Sequence, residues 1–253
     1  MPTEPAIHPR AAAAPELRIP AHVGVIMDGN GRWARSRGKP RTEGHVAGVK
    51  SLRQLVESCI DYGVGYLTVF SFSSENWSRP KDEISFIFGL LRRFVASDLE
   101  RLHNNNVRVR IIGSRVGLDE SLRRLIAEVE TTTAMNTGLK LQVAFNYGGK
   151  AEIADAVRKI AIEVAAGRLK AEDVGEETIG RFLYTFGVPD PDLIIRTSGE
   201  QRISNFLLWQ GAYAELAFVP ENWPDFDAAA FRRVLEDYSG RDRRFGSLEA
   251  SVR

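Results

Sequence analysis

The chain of 253 residues is long enough to bury a sizeable core, and its net charge of +1 leaves no global basic field, which argues against a nucleic-acid-binding protein. Cys59 is the single cysteine, so neither an internal disulfide nor a thiolate metal cage can form, and a reducing, cytoplasmic setting is expected. No apolar run approaches the roughly 18 residues that cross a bilayer, and the Ala- and Pro-rich start lacks the apolar core of a signal peptide.

Taken in chain order, residues 1–18 read as a flexible tail and 19–253 as one folded domain. The run VGVIM, Val23 to Met27, predicts a first strand. Val46, Val49, Leu52, Leu55, Val56, Cys59 and Ile60 then recur at helical spacing, and Gly63 ends the pattern. Further strands are expected at 66–72, 107–113, 139–146, 192–197 and 215–219, and helices at 82–104, 119–135, 149–166 and 227–238. This alternation predicts a single α/β domain with a central, mostly parallel six-stranded sheet covered by helices. Ligands of such sheets sit beyond the carboxyl ends of the strands, and four predicted strand ends here are rich in polar groups.

After the first strand comes Asp28, then Gly29, Asn30 and Gly31, then Arg32, Arg35, Arg37, Lys39 and Arg41. A carboxylate suits a hard cation such as Mg2+ shared with a substrate phosphate. Glycines let backbone N–H groups approach an anion, and the basic side chains neutralise it. The alternative is a strand-ending turn with a solvated basic face. After the second strand, Ser73, Glu75, Asn76, Trp77 and Arg79 crowd a helix entry, where Ser78 or Asp82 could instead simply cap. After the fifth, Arg196 and Arg202 flank Ser198-Gly199-Glu200, and Ser204 with Asn205 could cap a helix beginning at Phe206. A surface Arg–Glu network is the competing reading there. Glu215 opens the last strand and could join Asp28 at a metal. Ile84 to Val95 is apolar around more of the helix than one stripe requires, which fits either deep burial or the wall of a pocket for a long hydrocarbon. Neither a phosphate-binding G-x-x-x-x-G-K-[ST] loop nor a helical D-D-x-x-D pair occurs.

HVGVIMDGNGRWA, GHVAGVKS, FSSENWSRP, NVRVRIIG, NYGGKAEI, DLIIRTSGEQRISNFLLWQ and AYAEL follow one another in an order that resembles the cis-prenyltransferase family, in particular its bacterial undecaprenyl diphosphate synthases. The likeness runs from about His22 to the R-R-F-G at 243–246. It implies a hydrophobic tunnel, a homodimer and Mg2+-dependent addition of isopentenyl diphosphate to an allylic primer, farnesyl diphosphate. The expected product is a long polyprenyl diphosphate, the precursor of a lipid carrier for cell-wall polysaccharide, released with peripheral contact at the inner face of the membrane.

The resemblance assigns Asp28 to the metal and to catalysis, with Glu215 assisting. Gly29, Asn30, Gly31, Arg32, Trp33, Arg37, Arg41 and His45 would bind the allylic diphosphate, and Arg196, Arg202 and Ser204 that of isopentenyl diphosphate. Ser73, Glu75, Asn76, Trp77 and Arg79 would orient the substrates, with Asn76 near the proton that is lost. Two positions depart from the family pattern: Gln201, where many members carry histidine, and Phe145, where some carry a small residue beside the tunnel. Arg244-Phe245-Gly246 would close the neighbouring subunit's site or form a solvated tail. A shorter-chain synthase and a non-catalytic partner subunit of the same fold are the alternatives.

Overall fold

The computed structural model describes residues 17–241. Its strands are β1 (His22–Ile26), β2 (Tyr66–Ser73), β3 (Arg108–Ile112), β4 (Lys140–Tyr147), β5 (Leu193–Arg196) and β6 (Glu215–Phe218). They form one sheet in the order β3-β4-β2-β1-β5-β6, every neighbouring pair parallel. Every residue of β1 and of β5 is buried, as a strand covered on both faces requires. The helices are α1 (Asn30–Ser36), α2 (Arg41–Asp61), α3 (Lys81–Asn104), α4 (Glu120–Thr132), α5 (Gly149–Ala165), α6 (Glu176–Phe182) and α7 (Ala228–Ser239). Asp119 and Asp227 cap α4 and α7 through the backbone N–H groups of Leu122 and Ala230.

Side-chain alternation divides the core. Val23, Val25, Leu67, Val69, Leu141 and Val143 face Leu55 of α2, Phe88 of α3, Leu122 of α4 and Phe231 of α7. On the other face, Ile26, Ala144 and Ile194 meet Tyr184, which follows α6, together with Phe206 and Leu207 of the β5–β6 connection. The chain therefore leaves β1 on one face of the sheet and reaches its neighbour β5 from the other. Those diverging connections open a crevice at the carboxyl ends of β1 and β5.

Three expectations change. A helix from Phe206 does not form: residues 206–207 bend and 208–213 are turns, and Ser204 (φ 47°), Asn205 (φ 63°) and Leu207 (φ 43°) are left-handed, which breaks any right-handed start. The short α6 was not foreseen, because seven residues carry too little periodicity. Of the expected tail, only Leu17 and Arg18 lie among the described residues, and Arg18 is docked on α7. Its N–H donates to Ser239 Oγ (2.8 Å), its guanidinium donates to the Tyr238 carbonyl (2.9 Å), and it stacks on the Tyr238 ring. Arg244-Phe245-Gly246 lies outside the described residues. Among those described, no helix is long and apolar enough to cross a membrane.

The placement of α1 rests on two glycines of α2. A Cβ on Gly44 would lie 2.0 Å from the Asn30 carbonyl oxygen, and one on Gly48 would lie 2.5 Å from Asn30 Oδ1 and 2.7 Å from Trp223. Alanine at Gly44 would favour the isolated helix by about 1 kcal/mol, yet here it forces α1 away from α2. Gly44→Ala is expected to lower stability by about 1–3 kcal/mol in urea unfolding; a neutral or stabilising result would show that α1 is not tied to α2 by this contact.

Candidate active site

Parallel register sets Ile26 of β1 opposite Arg196 of β5, so Asp28 emerges beside the arginine. Arg196 Nη2 donates to Asp28 Oδ2 at 2.8 Å. Its Nη1 donates to Ser204 Oγ (2.6 Å) and to the Arg202 carbonyl (2.5 Å). The other carboxylate oxygen, Asp28 Oδ1, accepts from the Gly29 N–H (2.7 Å) and from Arg32 Nη2 (3.1 Å). Burial alone would raise the Asp28 carboxyl, but Arg196 and then Arg32 outweigh it and hold the group below the ordinary carboxylate range. Asp28 is therefore ionised at neutral pH. Gly29 turns with φ 105°, and a Cβ there would sit 2.5 Å from Asn222 Oδ1 and 2.9 Å from Ser198. No other residue fits that turn.

These groups open on a cleft of about 820 Å3. Asp28, Gly29, Asn30, Gly31, Arg32, Arg41, His45, Ser73, Glu75, Asn76, Arg79, Arg196 and Ser204 all line it, as the sequence suggested. Arg35, Lys39, Ser71 and Asn205 line it as well. Of the six buried side-chain polar atoms without a hydrogen-bond partner among the described residues, three are Arg196 Nε, His45 Nε2 and Asn30 Oδ1. All three belong to residues on the cleft wall, which marks it as a place where a polar ligand completes the bonding.

Glu83 was missed by sequence reasoning and organises one side. Its Oε1 lies 2.8 Å from Arg79 Nη1, 3.2 Å from Arg41 Nε and 3.6 Å from His45 Nε2. The cue was present: Glu83 follows Arg79 by four residues, the spacing of a helical ion pair. On the opposite wall, α5 fixes the loop that carries Ser204. The N–H groups of Gly149 and Lys150 donate to the carbonyl (2.7 Å) and Oδ1 (2.8 Å) of Asn205, and Asn205 Nδ2 donates to Glu75 Oε1 (2.8 Å). Below it, buried Glu152 accepts from Tyr147 Oη (2.5 Å), Gln210 Nε2 (3.1 Å) and the Tyr184 N–H (2.7 Å), and burial pushes its carboxyl up.

Five expected site residues lie elsewhere. Trp33 Nε1 donates to Asp225 Oδ1 (2.7 Å), and Arg37 pairs with the same carboxylate (3.1 Å) while stacking on the Trp33 ring, so both brace the outside of α1. Trp77 packs edge-on against Phe72 and Phe88, and its Nε1 donates to Asn146 Oδ1 (2.8 Å). The exposed Arg202 side chain pairs with Glu200, which also holds Arg32. Glu215 starts β6 opposite Leu193, at the amino ends of the strands, and pairs with Arg241 at 2.9 Å. In an all-parallel sheet that is the end remote from Asp28, so Glu215 cannot share a cation with Asp28 of the same chain.

Among the described residues, no cluster of three or more histidine, cysteine, aspartate or glutamate side chains could hold a metal. A single hard carboxylate facing a cationic cleft still suits Mg2+, which binds through one or two carboxylates while sharing substrate phosphate and water. The donor set thus fits a cation that arrives with a diphosphate.

A second, apolar pocket of about 100 Å3 continues from the cleft through shared walls at Met27, Asn30, His45, Ser71 and Ile87. Val69 and Val143 of the sheet, Val49 and Leu52 of α2, and Leu90, Leu91 and Phe94 of α3 enclose it. The broad apolar face of α3 is accounted for in this way. Phe145 does not line this pocket. It is wholly buried in a stack with Phe72 and Phe88, at centroid distances of 5.4 and 5.2 Å.

Burial pushes both His45 and His22 below the ordinary imidazole value, although Glu83 pulls His45 and Asp192 pulls His22 the other way. Their folded values lie below the unfolded one, so the unfolded chain takes up protons first. The stability they contribute is present above about pH 6.5 and is lost as pH falls below it. The urea midpoint is expected to drop between pH 7 and 5, and His45→Gln should flatten that drop; an unchanged slope would clear His45 as a contributor.

Residues 26–246 match the sequence family described as "Putative undecaprenyl diphosphate synthase". Isoprenyl transferase 2 of Bradyrhizobium diazoefficiens is 57% identical over 233 residues, 92% of each chain. An isoprenyl transferase of Agrobacterium fabrum is 56% identical over 92% of this chain and 95% of its own. Lavandulyl diphosphate synthase from Lavandula x intermedia, solved with dimethylallyl diphosphate, superposes with a TM-score of 0.88 at 36% identity, over 90% of this chain and 98% of that one. A probable undecaprenyl diphosphate synthase from Campylobacter jejuni gives 0.76 at 36% identity, over 91% and 100%. With its crevice at β1 and β5, its cationic cleft and these relatives across nearly the whole described length, the chain belongs to the undecaprenyl diphosphate synthase family of cis-prenyltransferases.

Proposed function

We propose that this enzyme condenses isopentenyl diphosphate repeatedly onto an allylic primer, farnesyl diphosphate, to give a long polyprenyl diphosphate, expected to be undecaprenyl diphosphate. The observation that carries the reading is one continuous space with two characters. Asp28 and Arg196 meet in a cationic cleft large enough for two diphosphates, and the cleft opens into an apolar pocket between α2 and α3. The likeness to a synthase solved with an allylic diphosphate supports the choice of primer class.

Arg32, Arg35, Lys39 and Arg41 crowd the α1 side and suit the diphosphate of the primer. As the allylic C–O bond breaks, negative charge grows on the departing group, and guanidinium groups already fixed by Asp28, Glu83 and Glu200 meet it without reorganisation. Arg196 and Ser204, on the other side of Asp28, suit the diphosphate of isopentenyl diphosphate. Mg2+ held at Asp28 would add electrophilic stabilisation of the shared phosphate oxygens. Anchoring both headgroups brings C4 of one substrate onto C1 of the other. The cation left on the isopentenyl unit then loses a C2 proton to a diphosphate oxygen in the cleft, which forms the cis double bond. Asn76 lines the same space with its Oδ1 held by the Ser73 N–H (3.1 Å), a fixed amide that orients the acceptor chain. The primer's hydrocarbon runs toward Ile87 and Leu91, where water is excluded.

The enzyme is further proposed to act as a cytoplasmic homodimer and to release its product at the membrane surface. A non-catalytic partner role is disfavoured because Asp28, Arg196 and Ser204 remain bonded together in the cleft. The small apolar pocket favours a shorter product as the second reading.

Purified protein with Mg2+, farnesyl diphosphate and labelled isopentenyl diphosphate should form polyprenyl products, with length read by chromatography; their absence would refute the elongase. A chelator should abolish turnover, and added Mg2+ should restore it. Asp28→Ala is expected to lower turnover by at least about 10²-fold, with a lowered melting temperature but a cooperative transition, because Arg196 loses its counter-ion. Full activity in that variant would remove Asp28 from the mechanism.

A further inference from the structure

The two helices that wall the apolar pocket are tied by charge beside the cationic cleft and again just beyond the last pocket-lining residues, Leu52 and Phe94. Beside the cleft, Glu83 of α3 faces Arg41 and His45 of α2. At the other end, Arg53 of α2 grips Asp98 of α3 in a fork, Nε to Oδ1 at 2.7 Å and Nη2 to Oδ2 at 2.6 Å. Ser97 Oγ donates to the same carboxylate at 2.6 Å. The Asp98 side chain is almost fully enclosed, and neither member of the pair lines the cationic cleft.

From His45 to Arg53, α2 advances eight residues, about 12 Å; from Glu83 to Asp98, α3 advances fifteen, about 22 Å. The two ties thus bracket unequal lengths of the two helices. Every pocket residue that these helices supply falls between the ties or at the first of them, His45, Gly48, Val49 and Leu52 on one side and Ile87, Leu90, Leu91 and Phe94 on the other. Asp98 lies one turn beyond Phe94 on the same face of α3, so the apolar stripe runs into a carboxylate. A weaker pair, Glu57 with Arg101 at 3.5 Å, continues the seam outside.

We propose that Arg53 and Asp98 form a length-determining clasp, which fixes the spacing of α2 and α3 below the apolar pocket and limits the room for the growing hydrocarbon. This inference rests on the chain-elongation reading above. A bidentate pair resists both ways of making room. Spreading the helices breaks it, and threading hydrocarbon past it strips its polar neighbours from two charges. Growth then stalls, and the product leaves.

The test compares product lengths from the wild-type chain and from Arg53→Ala/Asp98→Ala, with farnesyl diphosphate, labelled isopentenyl diphosphate and Mg2+. Both charges are removed together so that neither is left buried alone. The double variant is expected to shift the dominant product longer by at least one five-carbon unit, with the rate of the first condensation within about twofold of wild type. Should it fail to fold in a thermal melt, Arg53→Met/Asp98→Leu, which keeps the volume with apolar groups, carries the same expectation. An unchanged or shortened distribution from a folded double variant overturns the clasp. Absence of elongation by the wild-type chain itself would instead overturn the proposed function, and this inference with it.

Discussion

The site depends on the meeting of Asp28 and Arg196 across two adjacent parallel strands. Arg196 is almost fully buried, and a guanidinium there needs a counter-charge and partners for its donors. Asp28, Ser204 and the Arg202 carbonyl satisfy Nη1 and Nη2, while Nε has no partner among the described residues. The ion pair is therefore both a structural bolt between β1 and β5 and a partly open anion site. It exists because the chain departs from β1 on one face and returns to β5 from the other.

The same arrangement recurs around the cleft. Arg32 is shared by Asp28 and Glu200, and Arg41 and Arg79 by Glu83. Each carboxylate holds its cations in place before a ligand arrives, so little rotamer entropy remains to be lost on binding. A diphosphate must compete with those carboxylates, and the competition favours ligands that bring several charged oxygens at once. Trp33, Arg37 and Asp225 play no part inside the cleft, yet they brace α1 from outside and so fix the backbone of Gly29 to Arg32.

Polar and apolar regions of the space are joined along one helix. α3 begins among the cations with Glu83, turns Ile87, Leu91 and Phe94 toward the pocket, and closes on Asp98. In the proposed elongation, headgroup and hydrocarbon would meet successive turns of this single element. Under that proposal the chemistry and the selection by length share this wall, while α5 and the Asn205 loop set the opposite wall of the cleft.

Much of this was legible in the residues. Alternating β-branched runs and helical periodicities determine six strands and five long helices, because burial on both faces of a parallel sheet demands near-continuous apolar strands. Clustering of Asp28, Ser73 to Arg79 and Arg196 to Ser204 after strands places them at one edge by topology alone. Side-chain direction was not legible. Trp33 and Arg37 share a motif with Arg32 yet turn outward to Asp225, since a helix sends neighbouring positions to different faces. Glu215 looked like a second metal carboxylate but opens its strand, which puts it at the wrong end of a parallel sheet. The left-handed turns after Ser204, the hub at Glu83 and the Arg53–Asp98 tie depend on distances between segments far apart in the chain. Local sequence sets which groups are available and at which strand ends they fall; only the packing of one element on another decides which of them face the same space.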